Sequence, residues 1–100
     1  MKMANSLERV EVTIRQVAAV SERVFVTKHA EKRMIERQVT LTQVLNCLRT
    51  GVFIEGPTLD SYQQPGHKAT MQQICAGDLV QVALKLVEQG QSHIIVITVI

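Results

Sequence analysis

The chain has 100 residues, of which 46% are hydrophobic and 20% charged, and its formal net charge is +2. This length fits one domain with no room for a second core, and the composition excludes a disordered chain. Aromatic residues make up only 3% of the sequence, which excludes the aromatic stacking platforms that single-strand binders use.

Charge is unevenly distributed along the sequence. Residues 1–50 carry nine Lys or Arg against five Asp or Glu, whereas residues 51–100 carry two against four. A basic excess confined to one half indicates a local anionic partner rather than a surface that coats a polyanion. The alternative is a solvated helix face on which Glu31 and Glu36 offset the cations.

The first segment, residues 5–22, is predicted to be a helix. Asn5 stands three residues before Glu8, the spacing of a capping pair. A helical stripe of apolar residues follows, made of Leu7, Val10, Ile14 and Val17. The β-branched residues among them favour a helix less strongly.

Two further helices are predicted after a short extended segment, Val24–Val26. Thr27 is suited to cap the first of them, with Ala30 and Met34 on its inward face. The second begins at Thr40, where Thr40 and Gln43 have the spacing of a capping box. Its apolar residues recur at helical spacing, and Gly51 follows its last turn.

The second half of the chain has the alternation of strands. We predict a short strand at 52–55, a turn-rich loop from Gly56 to Lys68, and strands at 70–75, 79–87 and 93–100. Two hairpins in succession favour an antiparallel meander. The fold class expected for residues 1–100 is therefore α+β in a single domain, with N-terminal helices packed on a four-stranded, mainly antiparallel sheet.

Location and cofactors are predicted from what the sequence lacks. No apolar leader segment is visible, and the apolar run at 93–100 is too short to span a bilayer, so a soluble cytoplasmic protein without membrane contact is expected. The spacing of His67, His93, Cys47 and Cys75 does not suit a metal site. We therefore expect no metal and no other cofactor.

The helix after Thr27 carries the residues with the clearest chemistry. His29, Arg33 and Arg37 are four residues apart and therefore lie along one flank of a helix. An imidazole titrates near neutral pH and can act as general base or acid, while guanidinium groups bind phosphate oxygens in pairs. The pattern predicts a site for a phosphodiester. Each residue also has a structural alternative: His29 could hydrogen-bond within the start of the helix, and the arginines could pair with Glu36, Asp78 or Glu88.

A family resemblance rests on the same residues. Thr27-Lys28-His29-Ala30, with Arg33 and Arg37 after it, resembles the opening of a family of small bacterial proteins of unassigned function. The resemblance covers about residues 24–100, including Gly51 and the ending Ile97–Val99, and leaves the N-terminal helix (1–23) outside it. Two positions depart from the family pattern: Gln38 stands where glycine is common, and Ile100 where tyrosine is frequent.

That family is in turn similar to the barnase–EndoU–colicin–RelE group of compact ribonuclease toxins. The resemblance implies a metal-independent ribonuclease in which helices precede an antiparallel sheet. His29 would then be the general base or acid, Arg33 and Arg37 would hold the phosphate, and Thr98 would add a hydroxyl from the last strand. Lys28 and Tyr62 are further candidates for binding the substrate.

Two other functions remain open from the sequence. The same basic helix could belong to a non-catalytic module that binds nucleic acid or a partner protein, and a toxin would need a cognate neutralising protein. The apolar run Ile94–Ile97 could also support a homo-oligomer through an open sheet edge. RNA, a neutralising protein and a second copy of the chain are thus the expected partners.

Overall fold

The computed structural model describes residues 6–100 and contains three α-helices and five strands. The helices are α1 (Ser6–Ala18), α2 (Lys28–Arg37) and α3 (Leu41–Thr50), with a 3₁₀ turn at Ser21–Arg23. The strands are β1 (Val24–Val26), β2 (Val52–Asp60), β3 (Gly66–Cys75), β4 (Asp78–Val87) and β5 (His93–Val99). This arrangement confirms the α+β class.

The sheet has five strands in the order β1-β5-β4-β3-β2, not the four that were predicted. The additional strand is the short extended segment Val24–Val26, which pairs in parallel with β5, so that Phe25 lies opposite Ile95. The other three pairings are antiparallel. The sheet is therefore mixed, and β1 joins it through a contact between segments about 70 residues apart, which no local pattern reveals.

The predicted loop from Gly56 to Lys68 is wrong. β2 continues to Asp60 and β3 begins at Gly66, which leaves only residues 61–65 as the connection. The turn residues Gly56 and Pro57 lie inside β2, at an edge of the sheet where proline is tolerated because its missing N–H is not needed. Register shifts on either side of Glu55 absorb the irregularity.

Gly56 is required by its surroundings in β2. Its φ is +69°, and a Cβ at this position would lie 2.6 Å from the carbonyl oxygen of Lys68. Only glycine combines that conformation with such a close approach of the two strands.

The core lies between the helices and one face of the sheet. Buried side chains of α1 and α3, such as Ile14 and Leu48, pack with alternate residues of β4 and β5. The opposite face, called the open face below, carries the intervening residues. Its central cross-strand row is Glu55, Thr70, Ala83 and Thr98, one residue from each of β2, β3, β4 and β5.

Local signals fixed the starts of α2 and α3 as predicted. The Thr27 hydroxyl accepts the amide N–H of Ala30, and Thr40 forms a complete capping box with Gln43. Thr27 also ties α2 to β5, because its N–H donates to the Val96 carbonyl and its hydroxyl to that of Ile97. The helix therefore starts directly at the sheet edge.

The N-terminal helix differs from its prediction at both ends. The expected cap Asn5 lies outside the described residues, and α1 ends at Ala18 rather than near Glu22. Two arginines fix it to α3: Arg15 donates to the carbonyls of Arg49 and Gly51, at 2.6 and 2.9 Å, and Arg49 donates to that of Ala18. None of the helices within residues 6–100 is long and apolar enough to cross a membrane.

Candidate functional site

The three basic side chains predicted to act together all belong to α2. His29, Arg33 and Arg37 follow one another at four-residue steps within Lys28–Arg37 and therefore line one flank of the helix. His29 and Arg37 are exposed, and neither makes a hydrogen bond or ion pair with any residue that the structure describes. Both remain available to a ligand. We call this surface the α2 flank.

Arg33 is held in place by the protein itself. Its Nε donates to the Val99 carbonyl at 3.1 Å, and its Nη1 lies 3.4 Å from Glu36 Oε1. The side chain is 29% exposed. Of the alternative partners named from the sequence, Glu36 is thus the one that pairs with Arg33. The bond to Val99 also satisfies a carbonyl at the end of β5, beyond the last residue that pairs with β1.

Thr98 and Arg33 contact the same backbone carbonyl, that of Val99. The Thr98 hydroxyl is 3.4 Å from the Val99 carbonyl, the same oxygen that accepts the bond from Arg33. In register it stands opposite Ala83, which places it on the open face. The sheet edge at Val99 therefore joins the α2 flank to the open face.

The two weaker candidates fall in different places. Lys28 is exposed at the first position of α2, next to His29. Tyr62 is 73% exposed in the connection between β2 and β3, at the opposite side of the sheet from β1. Its carbonyl accepts a hydrogen bond from Lys85. The structure thus brings Arg33 and Thr98 together at the Val99 carbonyl, places Lys28, His29 and Arg37 on the same helix as Arg33, and leaves Tyr62 on the other side of the sheet.

Arg37 borders a cavity of about 260 Å³ at the end of the sheet. Asp78 and Gln43 line the same cavity, so a carboxylate that was considered as a partner is near Arg37 without forming an ion pair with it among the described residues. The guanidinium of Arg37 therefore keeps its donors for a ligand.

The open face contains a second polar region that sequence reasoning missed. A groove of about 270 Å³ is lined by Glu55, Lys68, Thr70 and Ala83 among others. Lys68 was overlooked because its segment was interpreted as a loop, and Glu55 because the strand predicted at 52–55 was thought to end there, whereas β2 continues to Asp60. The alternation of polar and apolar residues in Lys68-Ala69-Thr70-Met71 was the signal that could have extended β3 and placed Lys68 on the same face as Thr70.

A buried lysine lies next to this groove. Lys85 Nζ donates to Asp60 Oδ2 at 2.9 Å and to the Tyr62 carbonyl at 2.8 Å. The hydrogen bond from Lys85 is the main reason that the pKa of Asp60 is lowered, with the charges of Lys68 and Lys85 adding to it against desolvation. Asp60 and Lys85 thus neutralise each other, and Lys68 Nζ approaches the same carboxylate only to 4.0 Å.

A third charged cluster joins α1 to the far end of β4. Arg9 binds both carboxylate oxygens of Glu88, at 2.8 and 3.2 Å, and this lowers the pKa of Glu88. The ring of His67 lies beside them, with its Nδ1 buried, without a hydrogen-bond partner and 3.8 Å from Glu88. The cluster stabilises the attachment of α1 and lies at the opposite end of β5 from Val99.

The remaining reactive groups do not extend the site. No three His, Cys, Asp or Glu side chains within the described residues are placed to hold a metal ion. Cys47 is a fully buried residue of α3, and desolvation raises its pKa to about 11. A thiol with that pKa stays protonated at neutral pH and is a poor nucleophile.

Fold and site together define a class of protein: a small α+β domain in which the basic flank of α2 lies beside the C-terminal end of β5. Residues 26–100 match the family described as a domain of unknown function (DUF4258), and the chain belongs to that family. The match begins at Val26, so α1 precedes it, while the α2 flank and the sheet after β1 lie within it. No curated protein and no solved structure matches the chain significantly.

Proposed function

We propose that the protein is a metal-independent ribonuclease of the small bacterial toxin type, with its site on the α2 flank. The single observation that carries this proposal is that His29 and Arg37 are exposed on one flank and have no partner among residues 6–100, with Arg33 held between them by Val99. A cation pair beside a free imidazole suits a phosphodiester, because guanidinium groups bind phosphate oxygens and neutralise the charge that develops during transfer.

The chemistry assigned to these residues is the internal cleavage of RNA. The 2′-oxygen bonds to phosphorus, the bond from phosphorus to the 5′-oxygen breaks, and the products are a 2′,3′-cyclic phosphate and a 5′-hydroxyl. His29 either takes the proton of the 2′-hydroxyl or gives one to the leaving 5′-oxygen, and water performs the other transfer. Arg33 and Arg37 stabilise the phosphorane, while Lys28 binds the adjoining backbone.

The first test is incubation of the purified protein with RNA in the presence of a chelator. We expect cleavage, and we expect His29→Ala to reduce its rate about 10²–10⁴-fold, the usual contribution of a general acid or base. His93→Ala is the matched control, because His93 lies at the other end of β5, packed edge-on against Phe25. Cleavage that survives in His29→Ala at the wild-type rate contradicts the mechanism.

A non-catalytic binding module is the second candidate, and one observation favours it. Two donors of Arg33 are already engaged, by Val99 and Glu36, which is the arrangement of a structural arginine. In that case RNA or a partner protein would bind without being cleaved. Binding would then weaken in Arg37→Met and change little in His29→Ala, and induced expression would not arrest growth.

A further inference from the structure

The groove on the open face has the dimensions and the floor of a small-ligand site. Its volume is about 270 Å³, and Ala83 and Thr70 supply small side chains at its centre. Ile97 forms the wall on the β5 side, while Glu55 and Lys68 lie on the β2 and β3 side. A flat ligand would therefore rest on the sheet with its edge toward two side chains of opposite charge.

The Glu55 carboxylate is held in position by one hydrogen bond and can still accept others. The Thr70 hydroxyl donates to Glu55 Oε1 at 3.2 Å, and Thr70 is itself only 6% exposed. Among the described residues Glu55 makes no ion pair. A carboxylate offers about four lone-pair positions over its two oxygens, so one bond from Thr70 leaves room for two further donors.

Lys68 is the more exposed and the more weakly paired of the two lysines on this face. The carboxylate nearest to it, Asp60, is bound at 2.9 Å by the buried Lys85, whereas Lys68 Nζ remains 4.0 Å away and its side chain is 51% exposed. Lys68 stands two residues from Thr70 on the same face, about 7 Å along the strand. Its ammonium group can therefore reach the groove beside the Glu55 carboxylate.

We propose that this groove binds a guanine base, with Glu55 accepting the two N–H groups of its pairing edge and Lys68 donating to its O6. The inference deepens the proposed function and rests on it, since RNA is the ligand that would carry the base. Guanine is singled out by its chemistry: it alone presents two adjacent donors followed by an acceptor. Adenine and cytosine each place an acceptor beside their amino group, and uracil has a single N–H between two carbonyls.

The groove and the α2 flank are close enough to serve one RNA strand. Glu55 and Thr98 are the ends of the same cross-strand row, three strand spacings or about 14 Å apart, and Thr98 meets Arg33 at the Val99 carbonyl. The long side chains of Glu55 and Arg33 shorten that gap from both ends. A strand held by its phosphate at Arg33 can therefore cross β5 and lay a base on the open face.

The test measures the binding of mononucleotides to the intact protein by equilibrium dialysis or by NMR titration. We expect guanosine monophosphate to bind about tenfold more tightly than the adenosine, cytidine, uridine and inosine monophosphates, in line with one bidentate contact. Inosine monophosphate is the most informative comparison, because it lacks only the amino group from which Glu55 would accept a hydrogen bond. Glu55→Gln is expected to lose most of the preference, whereas Lys68→Met should weaken guanosine and inosine monophosphate alike, because both carry the O6 to which Lys68 would donate.

Controls separate this site from general effects. Glu22→Gln removes an exposed carboxylate from the 3₁₀ turn and should leave the preference for guanosine monophosphate unchanged. Circular dichroism verifies that Glu55→Gln is folded, and Lys68→Met supplies a second readout at an exposed position. Equal binding of all five nucleotides, or a preference that Glu55→Gln retains, overturns the inference.

Failure of the base site and failure of the proposed function give different results. RNA cleavage that depends on His29 but ignores base identity overturns the guanine site and leaves the ribonuclease proposal standing. Guanosine monophosphate binding that depends on Glu55, without any RNA cleavage, supports the groove as a base site and overturns the catalytic proposal.

Discussion

Arg33 combines a structural contact with a proposed functional one, and the two can be separated by comparison with Arg37. Its Nε bond to Val99 satisfies a strand-end carbonyl, whereas Arg37 has no partner within residues 6–100. A side chain that donates to a backbone carbonyl contributes to folding as well as to binding, while an exposed and unpaired one contributes to binding alone.

We therefore predict that Arg33→Met lowers the free energy of unfolding by about 1 kcal/mol, because the Val99 carbonyl loses its best donor. Arg37→Met should leave it unchanged within about 0.5 kcal/mol. Urea denaturation followed by circular dichroism measures both, with the slope of the transition expected to stay constant. Equal stability of the two variants would mean that the bond to Val99 is not formed in solution.

Asp60 makes stability depend on pH. Its pKa is lowered, mainly by the hydrogen bond from Lys85, so the charged carboxylate stabilises the folded protein. A carboxyl whose pKa is lower in the folded state contributes stability above its unfolded value, about 3.9 for aspartate. That contribution is lost as the pH falls from about 4 through the lower folded pKa.

Asp60→Asn should accordingly unfold at a lower urea concentration than the wild type at pH 7. The difference between the two proteins should shrink as the pH is lowered below about 4, because the wild-type carboxyl then becomes neutral as well. Asp78→Asn, at an exposed carboxylate on the first residue of β4, serves as the control and should unfold like the wild type at pH 7. A difference that persists unchanged at pH 2 would contradict the assignment to Asp60.

At the scale of elements, α2 ends on a residue with an unfavourable backbone conformation. Gln38 follows the last helical residue with φ 56° and ψ 42°, in the left-handed region. A side chain there costs about 1–2 kcal/mol relative to a right-handed position, and glycine avoids that cost. The geometry of the helix exit would therefore suit glycine better than glutamine at this position.

Replacing Gln38 by glycine should stabilise the protein by about 1 kcal/mol, although part of the gain is offset by the greater freedom of glycine in the unfolded chain. Gln38→Ala is the control, since alanine keeps a Cβ and the strain with it. Thermal unfolding should show a higher midpoint for the glycine variant only. A stabilisation that alanine matches would point to a cause other than the left-handed backbone.

The elements that could be predicted from sequence are those fixed by nearby residues. Thr27 and the Thr40–Gln43 box start α2 and α3 through contacts three residues apart, so their sequence patterns were sufficient. β1 could not be recognised as a strand, because a segment of three residues forms a strand only by pairing with β5, which is about 70 residues later in the sequence. The extension of β2 past Gly56 depends likewise on its partner strand.

The same distinction applies to the site. His29, Arg33 and Arg37 were predicted to share a flank because helical spacing alone determines it. The groove of Glu55 and Lys68 depends on the register of β2 against β3, with Glu55 opposite Thr70, and this is a long-range property. The hydrogen bond from Arg33 to Val99 could not be foreseen for the same reason, because the two residues are 66 positions apart in the sequence.

For the molecule as a whole, the small net charge limits how strong the proposed binding of RNA can be. The net charge is only +2, and three aromatic residues offer little stacking. In the proposed complex with RNA, most of the affinity would come from cations on the α2 flank, namely Lys28, Arg33 and Arg37. Each phosphate contact with a single strand releases counterions and contributes about 0.7 to the slope of log affinity against log salt.

We predict a slope of about −2 for binding of a short single-stranded RNA, measured with His29→Ala so that the strand stays intact. Arg37→Met should reduce the magnitude of the slope by about 0.7, because one phosphate contact is lost. Arg9→Met removes the same charge from the far end of β5, where the guanidinium is already paired with Glu88, and should leave the slope unchanged. Equal losses in the two variants would mean that RNA responds to net charge alone, and the α2 flank would not be its binding site.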